Sequence, residues 1–130
     1  MGRSPRRSVA ELKAGRAVVH VGHGNSMVPR LMSGDRVLLA PVGEEDLVSR
    51  GDIVLCTVRG NTFTHLVSAV QGKRVQISNN HGRVNGWCHR DKVHGKAVRA
   101  WPASGPVRWQ LAEALEWMEV LGIDPGKDAP

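Results

Sequence analysis

Cysteine is scarce in this chain of 130 residues: Cys56 and Cys88 are the only two, one inside an apolar strand-like run and the other beside a tryptophan. Nothing in that usage requires a disulfide, so the expected compartment is reducing, the cytoplasm. Long apolar runs are missing as well. No stretch approaches the roughly 18 apolar residues that cross a bilayer, and the charged N-terminus has no apolar segment behind it, so the expectation is a soluble protein without a transmembrane segment. Tyrosine is absent and phenylalanine occurs once, against four tryptophans. Trp109 and Trp117 fall in a helical pattern and Trp87 in a loop, which suits packing better than base stacking. Acidic residues are the minority, 12 against 18 Lys and Arg, giving a net charge of +6. Part of that excess sits in the opening "GRSPRR", which reads as a solvated tail, so nucleic acid is not an expected partner.

What is present suffices for one folded domain, since 41% of the residues are hydrophobic. Ser8 followed by Glu11 reads as a capping box for a short helix "VAELKA", with Gly15 ending it. Strands are expected at "RAVVHV", "RVLLAPV", "IVLCTV", "TFTHLVSAV", "RVQIS" and "KAVRAW". Arg59-Gly60-Asn61 and Gln71-Gly72-Lys73 supply tight turns, and "NNHGRVNGW" reads as a polar loop. Six short strands separated by regular turn signals make the fold class mainly β, a compact antiparallel domain. A basic tail and short helix would occupy residues 1–15, the β domain 16–101, an amphipathic helix 104–122 and a tail 123–130. In the C-terminal helix Leu111, Leu115 and Met118 form one stripe. Trp109, Trp117 and Val120 widen the apolar arc beyond it, so self-association or a protein partner is expected there.

The segment "GHGNSMVPRLMSGDRVLL" frames Ser26 with turn residues. A serine hydroxyl is a poor nucleophile near neutral pH unless a base lies within hydrogen-bond reach and donors await the oxyanion. Gly24 and Asn25 permit a sharp turn before Ser26 that would expose its N–H to a bound carbonyl. Without such partners, Ser26 is a turn serine capping its own loop. His20, His23, Cys88, His89 and His94 lack metal-ligand spacing, so no metal and no cofactor is expected.

In order and spacing, "NSMVPRLMSGDRVLL", "RGDIVLCTV", "THLVSAV", "VQISNNHGRVNGW" and "KVHGKAV" resemble the signal peptidase I and LexA-like serine peptidase superfamily, over roughly residues 17–99. The resemblance implies a LexA/signal-peptidase-like β fold with Ser26 as nucleophile. It also implies His65 as general base, as in the branch that uses histidine in place of lysine. Gly24, Asn25 and Met27 would support the oxyanion and the substrate pocket. The family's orienting aspartate has no counterpart at Ser78-Asn79-Asn80, which leaves Asn79, Asn80 or Asp91 to hold the imidazole. The activity implied is hydrolysis of an extended peptide or protein substrate with small residues beside the cut. The alternative is a non-catalytic structural or interaction protein on the same fold, such as a virion component or a regulator. Small members of this kind occur in phage and actinobacterial settings.

Overall fold

The computed structural model describes residues 5–126 and 130. The start of the expected basic tail, residues 1–4, and residues 127–129 of the C-terminal tail lie outside the described residues.

Runs of β-branched and apolar residues between glycine turns form a curled antiparallel sheet. Its strands are β1 (Val18–Val21), β2 (Arg36–Pro41), β3 (Ile53–Val58), β4 (Asn61–Gln71), β5 (Arg74–Ser78), β6 (Val84–His89), β7 (Val93–Trp101) and β8 (Trp109–Gln110). They lie in the order β1-β2-β7-β3-β4-β5-β6, with β8 paired to β7. A two-residue turn joins β3 to β4, with Arg59 and Gly60 both left-handed at φ 51° and 80°. The tight turn therefore falls on Arg59 and Gly60, while Asn61 already pairs with Val58.

Neighbouring residues on one strand face opposite sides, and this alternation divides the interior into three clusters. Leu39 and Leu55 join Met27, Leu31 and Leu12 of helix α1 (Arg6–Lys13). Val54 and Cys56 face Val67, Val75, Ile77 and Cys88 within the curled half of the sheet. Leu38, Val98 and Trp101 meet Ala114 and Met118 of helix α2 (Ala114–Leu121). Gly95 lets α1 lie on the sheet, because a Cβ there would stand 2.7 Å from Leu12 Cδ1. Among the described residues no helix is long and apolar enough to cross a membrane.

Four local expectations are corrected. The "RVNGW" end of the polar loop is strand β6, whose register with β5 runs from Val84 opposite Ser78 to His89 opposite Arg74. Ser8 does not cap α1. Pro5 occupies the cap without a side-chain hydrogen bond, while Ser8 is buried inside the helix with its hydroxyl 2.9 Å from His20 Nδ1, and Glu11 pairs with Arg16 at 2.8 Å. The C-terminal helix begins only at Ala114, because Arg108 N–H and Leu111 N–H bond to the carbonyls of Ala100 and Val98 and draw the preceding residues into β8. Its buried stripe is Ala114 and Met118, with Leu111 and Leu115 exposed, and Trp109 and Trp117 half-buried against the core.

Burial gives the histidines a shared consequence. His20, His65 and His94 are each held below the ordinary imidazole pKa, chiefly by desolvation. The unfolded chain therefore takes up more protons than the native one as pH drops through about 6.5, and stability present above that value is lost below it. Urea midpoints should fall between pH 7.5 and pH 5.5, and substituting Gln at His94 should flatten the slope; a midpoint that rises on acidification would contradict this.

Candidate active site

Residues 22–35 link β1 to β2 and carry Ser26. Gly24 takes φ 109°, a conformation that side-chain-bearing residues avoid, and its N–H donates to Ser33 Oγ at 3.1 Å. After Ser26 the chain coils, with Leu31 N–H on Met27 O at 3.0 Å, so that Met27 and Leu31 anchor the loop in the core beneath it. Gly34 N–H closes the base of the loop on Gly22 O. The buried Asp35 carboxylate accepts Met32 N–H at 2.8 Å and both Nε and a terminal nitrogen of Arg108 at 2.7 and 2.9 Å. Trp109 Nε1–H adds a bond to Arg30 O at 2.8 Å. A bidentate guanidinium–carboxylate pair is directional as well as strong, so the C-terminal segment clamps one flank of the serine loop.

The turn between β5 and β6 clasps the other flank. Asn80 N–H donates to Ser26 O at 2.8 Å, Asn80 Nδ2 to Val28 O at 3.1 Å, and His81 Nε2 lies 3.1 Å from Asn25 O. Asn79 keeps the turn itself in shape, its Oδ1 accepting the N–H groups of His81 and Arg83.

His65 reaches the serine from β4. Ser26 Oγ and His65 Nε2 are 2.9 Å apart, and on the far side of the ring His65 Nδ1 lies 2.7 Å from Asn85 Oδ1 on β6. With the carboxamide oxygen assigned to that contact, Nδ1 carries the proton and Nε2 is left as the acceptor for the serine hydroxyl, the tautomer a general base requires. Phe63 stacks on the imidazole at 4.2 Å between centroids. Desolvation lowers the His65 pKa and the Asn85 hydrogen bond partly offsets it, so the ring is neutral at pH 7.

The residue beside His65 Nδ1 is thus Asn85, and none of Asn79, Asn80 or Asp91 occupies that position. Asn79 and Asn80 are spent on the turn and on the serine loop, and Asp91 pairs with His89 at 3.1 Å. Asn85 is not legible in the sequence, because "RVNGW" offers only one β-branched residue and a glycine. The alternation of Gly86 and Cys88, both buried, against Asn85 and Trp87 is the signal that marks the strand. Of the residues expected to support an oxyanion and the substrate pocket, Gly24 already spends its N–H on Ser33, and the Met27 side chain is buried in the floor of the cleft. Ser26 N–H has no acceptor among the described residues.

A cleft of about 280 Å³ opens at the pair, floored by Met27, Leu31, Val37 and Leu55. One wall is the end of β1 with His20 and His23, and the other is residues 62–65 of β4. β5 pairs with β4 only from Leu66 onward, so residues 61–65 have no ladder partner on that side among the described residues. Val67 N–H bonds to Asp52 O on the β3 side. By the alternation of an antiparallel ladder, the N–H and C=O groups of Thr62 and Thr64 therefore face the open side. Comparison with family models, with curated proteins and with solved structures finds no match to this chain.

Proposed function

We propose that the chain is a serine peptidase similar to the signal peptidase I and LexA-like superfamily, with Ser26 as nucleophile and His65 as general base. The observation that carries this reading is the line of hydrogen bonds from Ser26 Oγ through the His65 ring to Asn85, set at a cleft with a free strand edge. An extended peptide bonds to the main chain of Thr62 and Thr64 as an added strand, and a small side chain beside the scissile bond enters the apolar floor of the cleft. Ser26 Oγ attacks the carbonyl carbon as His65 Nε2 takes the hydroxyl proton. The oxyanion accepts the Ser26 N–H, and His65 returns the proton to the departing amine as the C–N bond breaks. Water, deprotonated by the same nitrogen, then splits the Ser26 ester and restores the hydroxyl. Incubation with a proteome-derived peptide library, read by mass spectrometry, should yield new termini next to small residues; a library unchanged after prolonged incubation would overturn the proposal.

A neutral amide holds the ring but stabilises the imidazolium of the transition state less than a carboxylate does. In a well-studied serine protease the exchange of carboxylate for amide costs about 10⁴ in turnover, much of it through the wrong tautomer. Here the tautomer is right, so Asn85→Asp should raise kcat by about tenfold to a hundredfold and move the acid limb of the pH profile upward, because an anion beside the ring favours its protonated form. Asn85→Leu should lower kcat; an unaltered pH profile in both variants would remove Asn85 from the site.

A further inference from the structure

The free edge of β4 leads away from His65 into a second groove. This groove, about 380 Å³, has Arg6, Val9, Ala10 and Lys13 of α1 along one side and Thr57, Thr62, Lys92 and His94 along the other. Pro5 and Thr62 line both it and the serine cleft, so the two spaces adjoin. Its floor is a half-buried polar chain, with His94 Nε2 2.8 Å from Thr57 Oγ1 and Thr57 Oγ1 2.7 Å from Thr62 Oγ1. Lys13 and Lys92 line the groove together with His94. Among the described residues no acid lines it, and Asp91, which neighbours Lys92 in the chain, is paired with His89 at 3.1 Å. A strand docked along Thr64 and Thr62 therefore runs into a cationic groove. At about 3.3 Å per residue, the three steps from His65 to Thr62 span roughly 10 Å.

Resting on the peptidase reading, we infer that the substrate is a segment with acidic side chains about three to five residues to one side of the scissile bond, seated between Lys13 and Lys92. Two lysines lining one groove repel in the empty protein, and a carboxylate seated there relieves that repulsion while gaining two attractive partners. The open strand edge supplies main-chain bonds common to all sequences, and the groove supplies the discrimination.

Binding to the full chain carrying Ser26→Ala tests this without turnover. Three labelled peptides share a small-residue core and carry three glutamates before it, three after it, or glutamines in both places. One of the two acidic peptides should bind about fivefold to tenfold tighter than the glutamine peptide at low salt, with the advantage fading as salt rises. In the Lys13→Glu/Lys92→Glu background that ratio should fall to one or below. The milder Lys13→Gln/Lys92→Gln pair serves if the charge reversal impairs folding. Equal binding of all three peptides, or an acidic preference that survives both lysine variants, overturns the inference, as does tighter binding of a single-stranded DNA oligonucleotide than of either acidic peptide. Acidic preference with no cleavage by the intact chain would retire the peptidase and keep the groove; cleavage without acidic preference would do the reverse.

Discussion

Ser26→Ala removes the attacking oxygen, and hydrolysis of any peptide the intact chain cleaves is expected to fall to background, a loss of at least about 10³ in kcat. His65→Ala should cost nearly as much, because without an acceptor 2.9 Å away the hydroxyl keeps its proton at pH 7. The double variant should be no slower than either single one, since residues that act as a unit are not additive. In the intact protein kcat should hold from pH 8 to below pH 6.5 and then fall, because burial keeps the imidazole neutral past its ordinary pKa. Steady-state rates on one cleaved peptide across pH 4.5 to 8.5 check all of this. An acid limb centred above 7 would place the base on another residue.

Deletion of residues 104–130 is the second large effect, this time on folding. Trp101 is completely buried and relies on Ala114 and Met118 for part of its cover. Arg108 neutralises the buried Asp35, and Trp109 ties down Arg30 O. Burial of a methionine side chain stabilises by about 1.5–3 kcal/mol, and a buried carboxylate stripped of its partner costs a few more. The deletion therefore removes on the order of 5 kcal/mol from a domain whose whole margin is of similar size. The shortened chain should lose its cooperative thermal transition or melt tens of degrees lower by circular dichroism. Arg108→Ala alone should lower the melting temperature by several degrees and slow turnover, because the clamp acts on the serine loop. A shortened chain that melts with the intact one would mean the segment lies on the domain without supporting it.

Legibility in the sequence varied with local physics. β3 is an apolar run rich in β-branched residues and β5 alternates β-branched with polar residues, and their bounds coincide with "IVLCTV" and "RVQIS". The mainly β class with a helix near each end followed from the same alternation. β6 was invisible to that test because Gly86 is one of its inward positions and contributes no side chain, although a Cβ there would come within 3.3 Å of Val58. The late start of α2 was hidden for the opposite reason. "VRWQLAEALEWMEVLG" is periodic throughout, and a tertiary ladder to β7 together with the ion pair to Asp35 outweighs helix propensity in its first third. The site divides along the same line. Ser26 and His65 stand in recognisable segments 39 residues apart, whereas Asn85 depends on a strand that only the folded sheet reveals. The cationic groove is assembled from α1, β3, β4, β7 and the turn before it, and no single segment announces it.

The measurement that bears most directly on the Ser26–His65 pair is the rate at which a fluorophosphonate modifies the intact chain, followed by intact mass and peptide mapping between pH 5 and 8. A single adduct on Ser26, forming more slowly below pH 6.5 and not at all in His65→Ala, is the predicted result. An adduct on another residue, or a Ser26 adduct that forms as fast without His65, would contradict the account.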